Sequence, residues 1–103
     1  MKNNVTAIIE VKVKPEAEFG YNSVARIIAE FKEVESVYLT SGGNDLIVIV
    51  NCPDTRVVSR FVSSKLSTIK GVEGTTTNFI MERYKQSGEI LYEEEDEREL
   101  GII

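Results

Sequence analysis

The sequence is most informative at first for what it lacks. It holds no histidine, no tryptophan and a single cysteine, Cys52, among 103 residues. No disulfide can close within one chain, and no zinc site built from the usual Cys and His ligands can form. Acid–base or nucleophilic chemistry that depends on a histidine is excluded as well. Cys52 lies in Asn51-Cys52-Pro53-Asp54, between a strand pattern and a helix pattern. A helix amino end can activate a thiolate, but with no histidine beside it Cys52 reads as a small, semi-buried core filler. The longest apolar run, Leu46 to Val50, is far too short to span a bilayer. Met1-Lys2-Asn3-Asn4 leads straight into alternating residues with nothing like a signal peptide, so the expected location is cytoplasmic. Metal ligands and cofactor motifs are absent from the pattern, and none is expected.

Charge is unevenly spread. The net charge is −5, and residues 93–99 (Glu-Glu-Glu-Asp-Glu-Arg-Glu) carry all of it. The rest of the chain balances 11 acids against 11 bases. Phosphate binding needs clustered Lys and Arg, and no helix-turn-helix precedes the first strand pattern, so direct binding of nucleic acid is not expected. The acidic stretch lacks the ordered spacing of a calcium loop and reads as a solvated tail. Residues 1–86 are taken as one domain and 87–103 as an acidic carboxy-terminal extension.

What is present is a clear alternation of periods. Over residues 5–14, Val5, Ala7, Ile9, Val11 and Val13 share one face and Thr6, Ile8, Glu10, Lys12 and Lys14 the other, the mark of a strand with one face on a core. Pro15 ends it. Val24, Ile27, Ile28 and Phe31 then form a helical stripe within about 17–32, with Gly20 delaying the helix to Tyr21 or Asn22. Val34 to Thr40 reads as a second strand, and Ser41-Gly42-Gly43-Asn44 as a turn. Leu46-Ile47-Val48-Ile49-Val50 is apolar at every position, as a central strand covered on both faces would be. Pro53-Asp54-Thr55 supplies a break and a cap. Val58, Phe61, Val62, Leu66 and Ile69 follow at helical spacing, and Lys70-Gly71 closes that helix. Residues 73–84 read as a last long strand, after which Gln86–Glu89 turns the chain into a short strand at Ile90–Tyr92.

The order is βαββαβ, an α+β ferredoxin-like sandwich. Right-handed crossovers put both helices on one face of a four-stranded antiparallel sheet whose first and third strands are central. The opposite face then carries Ile8 and alternate residues of 46–50. Monomers seldom leave such a patch in water. At about 25 cal/mol per Å², a few hundred Å² would favour pairing by several kcal/mol before association costs, and a sheet-to-sheet dimer is expected.

Two stretches carry candidate chemistry. In Ser41-Gly42-Gly43-Asn44-Asp45, unshielded N–H groups and hydroxyls suit a carboxylate and Asp45 an ammonium, so the turn could hold a zwitterion. A hairpin turn with Asp45 as a loop cap explains the same residues. Thr75-Thr76-Thr77 could line a polar pocket, or simply reflect β propensity.

Residues 5–84 resemble the ligand-sensing, or RAM, domain of the Lrp/AsnC family of transcription regulators. Four pieces carry the likeness, in the family's order. The first two are the alternating strand Ala7 to Val13 with Pro15, and a helix leading into Val34-Glu35-Ser36-Val37-Tyr38. Next comes Thr40-Ser41-Gly42-Gly43-Asn44-Asp45-Leu46, similar to that family's threonine–glycine–x–aromatic–aspartate turn. Last is Ile69-Lys70-Gly71-Val72-Glu73-Gly74-Thr75-Thr76-Thr77, similar to its approach to the final strand. Asn44 stands where an aromatic is frequent, and Lys70 where proline is common. The resemblance implies a stand-alone, non-enzymatic domain that binds an amino acid in clefts between dimers and assembles into an octamer or ring. The implied effector contacts are Gly42, Gly43, Asn44, Asp45, Thr55, Thr75, Thr77 and Asn78. It also implies indirect modulation of transcription, through co-assembly with full-length Lrp/AsnC regulators. Two alternatives share the βαββαβ unit: a small dimeric α/β-barrel monooxygenase or isomerase, and a purely structural oligomer.

Overall fold

The computed structural model describes residues 4–14, 20–41 and 45–93. Four strands form one antiparallel sheet in the order β2-β3-β1-β4: β1 (Val5–Val13), β2 (Val34–Leu39), β3 (Asp45–Cys52) and β4 (Val72–Phe79). The two most apolar strands, β1 and β3, are therefore central. Ile8 pairs with Ile49 and Lys12 with Asp45 across them. The expected ferredoxin-like arrangement is what the chain adopts.

Strand alternation divides the sheet cleanly. Ala7, Ile9, Val11 and Val13 of β1, with Leu46, Val48, Val50 and Cys52 of β3, are buried on one face. Against them pack Val24 and Ile28 of α1 (Gly20–Ala29), Val58 and Phe61 of α2 (Thr55–Phe61), and Leu66. The rings of Phe31 and Phe61 meet edge to face at 5.5 Å, the geometry that ring quadrupoles favour. Cys52 is 1% exposed, fully buried where semi-burial was expected. Ile27 departs from the helical stripe and lies 44% exposed. It flanks the buried pair Val24 and Ile28 rather than sharing their direction.

The elements end for identifiable reasons. The Asp54 carboxylate accepts the Val57 N–H at 3.0 Å and caps α2, satisfying one of the orphan donors of its first turn. The second helix does not run on regularly to Ile69. It passes at Val62 into one π turn, Val62–Leu66, where the Ser67 N–H donates to the Val62 carbonyl at 2.8 Å. The last strand is shorter than the 73–84 read from composition. The Ile80 N–H still donates to the Thr6 carbonyl at 2.9 Å, but β1 begins at Val5, and beyond that point no described strand pairs with the chain. It continues instead into a hairpin, β5 (Lys85–Gln86) and β6 (Glu89–Ile90). Its turn residues Ser87 and Gly88 both have positive φ, 52° and 86°, as a tight two-residue hairpin loop requires. The short strand expected at Ile90–Tyr92 thus pairs one residue earlier, and the hairpin crosses residue 86, where the domain was expected to end.

Candidate functional site

The face of the sheet away from the helices is uncovered by any other described element. Ile8, Ile47 and Ile49 are half-buried there among their neighbours, and Tyr38, paired with Ile47, is 57% exposed. These residues sit on the open face because each is one step out of phase with the buried set.

At one end of this face the β2–β3 turn delivers Asp45, the first residue of β3. The Thr40 N–H donates to the Asp45 carbonyl at 3.4 Å, closing the loop backbone behind it. The Asp45 carboxylate accepts from Lys12 Nζ at 3.2 Å, and the two side chains are 16% and 61% exposed. The hydrogen bond to Asp45, and then the charge of Asp45, raise the Lys12 ammonium above its ordinary value. The result is an anion and a cation side by side at the margin of an apolar face. That arrangement is complementary to a zwitterion, whose ammonium and carboxylate can address Asp45 and Lys12 respectively. Sequence pattern alone gave Lys12 no role. Its link to Asp45 spans 33 positions and depends on the β1–β3 register.

The other candidate residues are spread out. Gly42, Gly43 and Asn44 lie outside the described residues, as does the acidic stretch from Glu94 onward. Asn78 pairs with Ile8 and shares the open face, whereas Thr75 and Thr77 pair with Val11 and Ile9 on the helix side. Thr55 is exposed at the start of α2, beyond the far end of β3. Eight residues of strand separate it from the Asp45 end, about 23 Å at the usual rise per residue. One copy of the chain therefore brings Asp45 to Lys12, but does not bring the eight residues to a common point. Among the described residues there is no cluster of groups suited to a metal ion, and no helix is long and apolar enough to cross a membrane.

A second polar feature lies under the opposite end of the sheet. Glu33 Oε2 accepts from Lys65 Nζ at 2.9 Å, and Nζ stands 5.5 Å from the Phe31 ring centre and 5.9 Å from that of Phe61. Burial works to raise the Glu33 carboxyl. The Lys65 hydrogen bond, Glu33's own backbone N–H and the charges of Lys65 and Lys32 outweigh it and hold the group below the usual carboxylate range. Cys52 moves the other way: burial first, then the negative charges of Glu33 and Asp54, push its thiol up. A thiol so placed is a poor nucleophile at neutral pH.

A four-stranded antiparallel sheet in the order β2-β3-β1-β4 with two helices on one face defines a ferredoxin-like α+β domain. The sequence matches the Lrp/AsnC ligand binding domain over residues 6–90, and the chain belongs to the Lrp/AsnC family. It is 46% identical over 98 residues to YugG of Bacillus subtilis, an uncharacterized HTH-type transcriptional regulator, covering 95% of this chain and 59% of YugG. It is 30% identical to the HTH-type transcriptional regulator FL11 of Pyrococcus furiosus, over 84% of this chain and 55% of the relative. The chain thus spans little more than half the length of these regulators. Among solved structures, the fold superimposes on Escherichia coli AsnC with a TM-score of 0.68 at 20% identity, covering 77% of this chain and 52% of AsnC. It also matches a Neisseria meningitidis transcriptional regulator solved as a complex with L-Met, with a TM-score of 0.68 at 20% identity, covering 84% and 56% of the two chains.

Proposed function

We propose that this chain is a non-enzymatic effector-binding and assembly domain that pairs through its open sheet face and responds to a free amino acid. The observation that carries the reading is the Lys12–Asp45 pair at 3.2 Å, set at the margin of a face lined by Ile8, Ile47 and Ile49. An apolar face of this kind favours pairing, and a zwitterion completing a cleft at its edge would stabilise the assembled form by linkage. The neisserial relative solved with L-Met supports an amino acid as the effector class. Thr55, past the far end of β3, and Thr75 and Thr77, on the opposite face of the sheet from Asp45, would contribute from neighbouring copies in a larger ring or octamer, while Gly42, Gly43, Asn44 and Asn78 complete the contacts. Transcription would then be modulated by co-assembly with full-length Lrp/AsnC regulators, without contact between this domain and DNA. The relatives named as transcriptional regulators support this over the monooxygenase or isomerase alternative. That alternative also wants a polar group between sheet and helices, where Ile9, Val11, Ile28 and Phe61 are all buried.

The test is a melting and mass titration with each of the twenty amino acids. A ligand at one hundred times its Kd stabilises the bound form by about 2.7 kcal/mol, which raises Tm by about 10 °C or more in a domain of this size. At least one amino acid should do this and change the oligomer mass, and Asp45→Ala should abolish the response while keeping the fold. No response to any of the twenty would sink the sensing half of the proposal.

A further inference from the structure

Residues 81–93 are exposed at every position, yet they are not a polar tail. Among the described residues, five of the eight exposed large hydrophobic ones fall here: Met81, Tyr84, Ile90, Leu91 and Tyr92, with Met81 89% and Tyr84 67% exposed. The segment has built-in structure. Ser87 and Gly88 make a defined turn, Lys85 pairs with Ile90 and Gln86 with Glu89, and the Leu91 N–H donates to the Tyr84 carbonyl at 2.9 Å. A two-stranded hairpin this short is marginal in water by itself. Its apolar side chains find no covering surface among the described residues.

The root shows where that surface lies. Arg83 Nη2 donates to Thr6 Oγ1 at 2.8 Å, and Thr6, out of phase with the buried residues of β1, belongs to the open face. It is nonetheless only 7% exposed. The arm is thus pinned to a corner of the face through which pairing is proposed. From Ile80 to Ser87 it spans eight residues, seven steps and a reach of about 23 Å if extended, against the roughly 10 Å that separates stacked sheets. Its own charges, Glu82, Arg83, Lys85 and Glu89, balance to zero. It therefore has no bias toward a polyanion and suits a self-complementary two-fold contact.

We propose that the 81–92 hairpin is an assembly clamp, its apolar side chains packing on a second copy of this chain at the margin of the paired sheets. The inference rests on the sheet-to-sheet pairing proposed above, and the experiment separates the two. Sedimentation equilibrium of the full chain is compared with a Tyr84→Ser/Leu91→Ser arm variant and with two face variants, Ile49→Asp and Tyr38→Asp. Tyr38 is already exposed, so its variant retains the fold if Ile49→Asp does not. The clamp requires the arm variant to raise the dimer Kd at least tenfold with unchanged circular dichroism. It also requires amide protection at 84–91 in the full chain that disappears below the dimer Kd. An arm variant within twofold of the full chain overturns the clamp, while loss of dimer in the face variants still upholds sheet pairing. The reverse pattern, an arm variant that weakens the dimer beside face variants that leave it intact, overturns sheet pairing and with it a clamp seated at the margin of paired sheets. A full chain that stays monomeric at every concentration overturns both.

Discussion

Removing the Lys65 ammonium should destabilise the chain more than removing the Glu33 charge. The Glu33 side chain is 18% exposed and that of Lys65 41%. Without Lys65, the carboxylate keeps most of its desolvation cost and loses its closest cation; without Glu33, the ammonium can still be solvated. Breaking a fully buried pair costs about 3–5 kcal/mol and an exposed one at most about 1. With one partner largely shielded and the other not, Lys65→Met should cost about 2 kcal/mol and Glu33→Gln about 1. The first corresponds to a fall in Tm of about 10 °C. The Glu33→Gln/Lys65→Met double variant should lose less than the sum, because the orphaned charge is gone. The pH dependence has a definite sign. In the parent chain the Glu33 carboxyl is held low, so its contribution is complete above the unfolded value near ~4.3 and is lost as pH falls through the lower folded value. In Lys65→Met, burial is opposed only by Glu33's own N–H and by Lys32, and the folded value rises. The penalty is then present at neutral pH and fades as pH falls toward ~4.3, where the carboxyl takes up a proton. Urea melts at pH 7 and pH 4, at one protein concentration, measure both effects. Equal losses for the two single variants, or a Lys65→Met deficit that grows toward pH 4, would refute the reasoning.

Three shorter predictions follow from the same packing. Asp54→Ala removes the α2 cap and should cost about 1 kcal/mol, read as a shift of the urea midpoint at constant m. Leu66→Ala empties a fully buried position and should cost about 2–5 kcal/mol; a loss under about 1 kcal/mol would show that the π turn does not anchor the core. Cys52, 1% exposed with its thiol pushed up, should label with iodoacetamide at pH 7.5 only at the rate of unfolding, and rapidly in urea.

How much of this is legible in the sequence depends on the range over which each feature is encoded. The alternation of 5–14 and the unbroken apolar run 46–50 are local; β1 ends one residue short of the first, and β3 contains the whole of the second. The π turn also leaves a trace, though one that a periodicity count passes over. A regular helix carrying Phe61 inward would next turn residue 65 toward the core, and residue 65 is lysine. The extra residue per turn brings Leu66 inward instead and leaves Lys65 at the flank, beside Glu33. That outcome is settled by packing, since the alternative buries an ammonium against the sheet. The end of β4 is likewise set by where β1 stops, and the composition of 80–84 contains no such limit. The Lys12–Asp45 and Glu33–Lys65 pairs join residues 33 and 32 positions apart, so they exist only once register and helix rotation are fixed. Of the described residues assigned to effector binding, Asp45 and Thr55 lie toward opposite ends of β3, and Thr75 and Thr77 lie on the face opposite Asn78. What the chain does encode locally is a central strand apolar on both faces and, further on, an arm whose hydrophobic side chains have no cover among the described residues.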